Sequence, residues 1–322
     1  MRYNQHKPKI MNTSIKQTTL FSAAAGRRRL LKNVFTAAGL AGAATLAVQA
    51  QITVDGTRDA AYGAPLATQT VNTGFGDSTA GDGTSANGSE LDAGYGKIAN
   101  GNLYIFLAGN FQNNGNHVNV FIADGRAGQS TLAVPATGTL KAMNGSVFSS
   151  GFQATYALDL NDYSGTLYAE EYGLTGTASG GYVGSVGLTG GIGFGTPGPN
   201  GITYGLNNLN AAGVNGNTGT AADPAAANAV GTGLELSIPL SLLGDPTGPI
   251  EVLAAINGGG DTYLSNQLLP GLPVSSGNLG AATFNFGSTP GQYFTVPTPE
   301  PSTLALGTLA GLAGLVAFRR RK

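Results

Sequence analysis

Cysteine and tryptophan are both absent from this 322-residue chain, histidine occurs twice, and charged residues make up only 10% of it. Without cysteine there is no disulfide framework and no thiolate for catalysis or metal binding, so folding has to rest on burial. His6 sits in the N-terminal segment, which leaves His117 as the single histidine of the remaining chain. One histidine leaves zinc chemistry short of ligands, and no Gly-x-Ser-x-Gly elbow accompanies it for a Ser-His-Asp hydrolase. His117 is expected on a solvent-facing strand, on the same face as Asn119 and Phe121. Basic residues are scarce where it matters. Between Gln51 and Val296 only Arg58, Lys97, Arg126 and Lys141 face 16 acids, a balance of −12. Such a surface repels nucleic acid, which is excluded as a partner, and attracts cations.

The missing positive charge is at the two ends. At the C-terminus Pro297-Thr298-Pro299-Glu300-Pro301 leads into an apolar run, 302–318, followed by Arg319, Arg320, Arg321 and Lys322. Seventeen apolar residues rise roughly 25 Å as a helix, enough to span a slightly thinned ~30 Å hydrocarbon core. The terminal cations place that end in the cytoplasm and the body outside. The Pro299-Glu300-Pro301 triplet, the single helix and the arginine cluster, in that order, resemble the bacterial PEP-CTERM sorting signal. The resemblance implies exosortase, a membrane-embedded cysteine transpeptidase, as partner, with cutting near the triplet and only transient residence in the inner membrane. A plain C-terminal anchor is the alternative.

At the other end Arg27-Arg28-Arg29-Leu30-Leu31-Lys32 precedes an apolar stretch from Val34 to Val48. Val48 and Ala50 then supply small side chains at minus three and minus one, so residues 1–50 read as a signal peptide cut after Ala50. Arg27 and Arg28 resemble the twin-arginine export motif, with Gly26 and Leu30 departing from its usual residues. An ordinary basic Sec leader fits equally well.

The body, 51–296, is expected to be an all-β, antiparallel β-sandwich with long Gly-rich loops. Leu103 to Ala108 is apolar on both faces, as in a covered central strand. Alternation marks strands at Val118 to Ala123 and Thr155 to Leu160, with further runs at Leu167–Tyr172, Tyr182–Leu188, Leu234–Ile238, Ile250–Ile256 and Thr283–Phe286. An opening strand is expected at Ile52 to Asp59, and Pro239 followed by Leu240 to Gly244 predicts one helical turn. The strand with Glu235 ending in Ile238-Pro239 resembles an element of family-9-like carbohydrate-binding and DOMON-like sandwiches. That implies sugar binding, for which Tyr163, Tyr168 and Tyr172 would have to stand in for the missing tryptophan.

Carboxylates are the remaining route to chemistry. Glu170 and Glu171 are adjacent, so on a strand they point to opposite faces and cannot share a glycosidic bond. Glu235 and Glu251 lie on separate strands that either converge or carry edge-strand charges against aggregation. Asp77, Asp82 and Glu90 sit in one Gly-rich loop and Asp261 follows Gly258-Gly259-Gly260, oxygen ligands on loops that suit Ca²⁺. The expectation is a non-enzymatic surface or matrix protein, delivered to the cell envelope or to the extracellular polysaccharide. A carbohydrate- or calcium-binding module is the alternative and a secreted glycosidase the third reading.

Overall fold

The computed structural model describes residues 51–81 and 86–298. The expected signal peptide, Asp82, the Pro299-Glu300-Pro301 triplet, the helix at 302–318 and the terminal arginines lie outside them. Among the described residues the fold is all-β with antiparallel sheets, and no helix is long and apolar enough to cross a membrane.

Thirteen strands follow one another: β1 (Ala67–Thr68), β2 (Glu90–Ala99), β3 (Asn102–Asn110), β4 (Asn114–Ala123), β5 (Tyr156–Tyr163), β6 (Thr166–Gly173), β7 (Ser179–Gly187), β8 (Ile192–Gly195), β9 (Thr203–Asn207), β10 (Gly233–Pro239), β11 (Ile250–Asn257), β12 (Leu264–Leu269) and β13 (Phe294–Val296). They form a six-stranded sheet, β1-β2-β3-β10-β9-β8, and a seven-stranded sheet, β12-β11-β4-β5-β6-β7, in which β13 pairs with the other half of the β11 edge. The hairpins β2–β3 and β5–β6 turn on Asn100-Gly101 and Ser164-Gly165, all four at positive φ. That backbone matches the strand twist and locks the two registers.

Alternation then does the packing. Leu103, Ile105 and Leu107 on β3, with Leu234, Leu236 and Ile238 on β10, join Val118, Val120 and Ile122 on β4 and Leu158 and Leu160 on β5 in one buried cluster drawn from both sheets. The opposite face of the first sheet buries Tyr95 and Phe106 under Ile52, Tyr62 and Val230. The opposite face of the second buries Phe121, Ala157, Tyr172 and Leu253 under Leu132, Leu140, Met143, Phe148 and Phe152 from the 124–155 connection.

Three features differ from the sequence reading. Ile52 to Asp59 contributes one bridge, Thr57 to Thr232, because its hydrogen bonds go to side chains. Thr283–Phe286 makes a single parallel bridge at Asn285, and its Phe284 and Phe286 serve as a plug in the second cluster. A six-residue helix α1 (Pro224–Ala229) forms where Asp223 accepts the Ala225 N–H at 2.9 Å and Pro224 presets the first turn. The expected turn at Leu240–Leu243 is a 3₁₀ turn closed by Gly244 in the left-handed region.

Phe121 is fully buried, with ring centroids 5.1 Å from Phe148 and 6.1 Å from Phe284. Phe121→Ala leaves a cavity beneath the connection and should cost about 3–5 kcal/mol in urea unfolding. An unchanged midpoint would mean that the 124–155 cover is not part of the cooperative core.

Candidate functional site

β4 carries His117 and Asn119 on the face that also holds Phe121. The β4–β5 register sets Asp159 opposite Asn119, while β11 sets Asn257 opposite His117. Beyond Asn257 the chain folds back at once: Asn257 Oδ1 accepts the N–H of Gly258 at 3.0 Å and of Tyr263 at 3.1 Å, and Asp261 follows in the left-handed region at φ 56°. The fold-back brings Asp261 over the sheet.

His117 Nδ1 lies 2.7 Å from Asp159 Oδ1 and 3.7 Å from Asp261 Oδ2. The Asn119 amide donates to Asp159 Oδ1 at 3.1 Å and to Asp261 Oδ1 at 2.9 Å, and the Thr139 hydroxyl donates to Asp159 Oδ2 at 2.6 Å. Behind them the Thr139 N–H and the Tyr172 hydroxyl both bind Glu170. Burial pushes Asp159 up to about 7, and burial with the charge of Asp159 raises Asp261. Burial also holds His117 down against the pull of Asp261 and Glu170. His117 is therefore not a surface residue; the 258–262 turn and the Thr139 segment cover it to 5% exposure.

The other acids are distributed through the body. Glu171, on the opposite face of β6 from Glu170, lies between the sheets and accepts from Tyr156, Tyr204 and Asn200. Glu235 accepts from Tyr62 Oη at 2.8 Å and from the N–H groups of Asp55 and Gly56 at 3.0 and 3.1 Å. It latches the opening segment onto β10, where a side chain at Gly56 would run into Asn207 and Leu206. β10 lies between β3 and β9, so Glu235 is not an edge charge, and Glu251 lies on the other sheet between β4 and β13. Glu251 borders an open cleft of about 720 Å³ with Asp124 and Arg126, which form an ion pair of their own. Of the acids expected to bind Ca²⁺, Asp77 is exposed and Asp261 belongs to the His117 cluster. Tyr172 is fully buried, whereas Tyr163 reaches solvent and Tyr168 does so beside Tyr182.

Comparison with known proteins decides the C-terminal end. Residues 297–322 match the PEP-CTERM protein-sorting motif. The chain carries that sorting signal. A PEP-CTERM motif implies recognition by exosortase and export to the cell envelope or surface. No curated protein and no solved structure matches the chain.

A second acidic pair has a measurable signature. A bulge in β2 turns Glu90 and Asp92 toward Asn210, whose amide donates to them at 3.1 and 3.4 Å; both carboxyls are buried. Burial, then the charge of Asp92, pushes Glu90 up to about 10, and burial lifts Asp92 to about 8 and Glu235 to about 7. Each acid holds its proton more tightly folded than unfolded. Its contribution to stability is complete below the ordinary carboxylate range and is lost as pH rises through the folded value. Thermal unfolding should therefore come at a higher temperature at pH 5 than at pH 9, each kcal/mol moving the midpoint by roughly 2–4 °C. Asp92→Asn should narrow that difference, and a wild-type midpoint that rises from pH 5 to pH 9 would refute it.

Proposed function

We propose that the protein is an exported component of the cell envelope or extracellular matrix, delivered by exosortase and built around a non-enzymatic β-sandwich. The sorting motif at 297–322 carries this reading. Two sheets contributing to one apolar cluster support the sandwich. Glu171 and Glu235 support a structural role for these two acids, since each accepts three hydrogen bonds from within the fold. In this reading residues 1–50 are an export signal removed after Ala50, by either the Sec or the twin-arginine route. The apolar run 302–318 holds the chain in the inner membrane until the tail is cut.

Mass spectrometry of both termini of the protein from its native host tests the proposal. The expected ends are Gln51 and a residue close to Pro299 to Pro301, on material from the envelope or medium. Recovery of most of the protein with Arg319 to Lys322 intact would leave a plain membrane anchor instead.

A second reading, binding of extracellular polysaccharide, draws on exposed rings. Tyr163 and Tyr182 are 54% and 60% exposed, and the Tyr168 and Tyr182 rings lie 6.4 Å apart on neighbouring strands β6 and β7. Such rings offer an apolar face for a sugar and a hydroxyl at the rim. Tyr182→Ala should weaken retention in gels containing the host's polysaccharide by roughly tenfold, equivalent to about 1.4 kcal/mol. Equal mobility of the two proteins would remove this reading, and release of reducing sugar would replace it with a glycosidase.

A further inference from the structure

We propose that His117 Nδ1, Asp159 Oδ1 and Asp261 Oδ2 together bind one divalent first-row transition ion of the zinc type. The three donor atoms come from β4, β5 and the turn after β11 and lie within 4.8 Å of one another, all on buried side chains. Asp261 Oδ2 carries the argument. Its residue is fully buried, its partner oxygen is held by Asn119, and yet Oδ2 has no hydrogen-bond partner while lying 3.7 Å from His117 Nδ1. Buried polar atoms are nearly always satisfied, so an orphan facing two other donor atoms points to a ligand.

Among the described residues no side chain supplies the missing positive charge. Arg126 pairs with Asp124, Arg58 donates to Tyr95 and Asn228, Lys97 to the Ala61 carbonyl and Lys141 to the Ala136 carbonyl. Two carboxylates with one imidazole match a doubly charged ion in both charge and donor type. An imidazole nitrogen favours zinc and its neighbours over calcium, whose sites are built from oxygen. The lone histidine thus does not rule out zinc, because aspartates from distant strands complete the set.

The surrounding groups suit the role. Asn119 orients both carboxylates and Thr139 holds the second oxygen of Asp159, the outer contacts that fix ligand direction in metal sites. Donor atoms around a tetrahedral ion with bonds near 2.1 Å sit roughly 3.4 Å apart. The 3.7 Å pair is already near that spacing, and the 2.7 Å pair has to open by less than about 1 Å. An ion there joins segments 42 and 102 residues apart in the chain, from His117 to Asp159 and from Asp159 to Asp261. It does so independently of how the protein is sorted.

The test uses the purified full chain, stripped with a chelator and dialysed against Zn²⁺, with bound metal measured by mass spectrometry and Co²⁺ absorption as a second probe. One tightly held Zn²⁺ per chain and visible Co²⁺ bands are expected, with an unfolding midpoint that rises and saturates with Zn²⁺. Asp261→Asn and His117→Gln should each weaken binding by more than the ~100-fold that outer contacts alone can cost. Asp77→Asn should bind as wild type. Should Asp261→Asn fail to fold, wild-type stoichiometry and His117→Gln still decide. Wild-type protein without stoichiometric Zn²⁺, folded variants that bind like wild type, or preference for Ca²⁺ over Zn²⁺ would each overturn the proposal.

Discussion

Leu103, Ile105 and Leu107 on β3 and Val118, Val120 and Ile122 on β4 point into one apolar layer, and the facing of every neighbouring residue follows from theirs. Side chains alternate along a strand, so once Val118 and Val120 are inside, His117, Asn119 and Phe121 must lie on the outer face of the second sheet. Two of those three are polar and one is a large ring. The connections respond accordingly: 124–155 lays phenylalanines over Phe121, and the turn after β11 lays an aspartate over His117 and Asn119. The polar cluster and the aromatic cluster are two ends of the same covered face.

A second constraint is electrostatic. A body with four bases can neutralise few of its buried acids with ion pairs, Asp124 with Arg126 being one, and desolvating a carboxylate without compensation is costly. Different solutions are visible. Glu171 and Glu235 collect hydroxyl, amide and backbone donors, while Glu90 and Asp92 share a site in which burial favours the protonated form. The His117 cluster has fewer donors than acceptors, which is why it stands apart.

Much of the sheet was legible because strand patterning is local. Val118 to Ala123, Leu167 to Tyr172, Leu234 to Ile238 and Ile250 to Ile256 all fall within strands, Thr155 to Leu160 does so from Tyr156 onward, and Pro239 with Gly244 marked the turn between β10 and β11. Thr283–Phe286 has the same look, but its aromatic side chains plug a loop cluster and its backbone has only one bridge. The burial of His117 could not be read locally. It depends on Asp261, 144 residues further along, arriving over the same face. A histidine, an asparagine and an aspartate at different points in a chain carry no periodic signal. What the sequence does offer is Asn257 followed by three glycines and Asp261, a fold-back pattern at a strand end.

The final strand sets a limit on reach. β13 ends at Val296, hydrogen-bonded along Ile250 to Val252 in the seven-stranded sheet, and the sorting motif begins at the next residue. From Val296 to Pro299 is three residues, which span at most about 11 Å when fully extended. There is no room for a swivelling stalk between the folded body and the triplet. Whatever grips Pro299 has the β11–β13 edge within about 11 Å of it, so clearance at that edge limits which enzyme can engage the tail while the domain is folded.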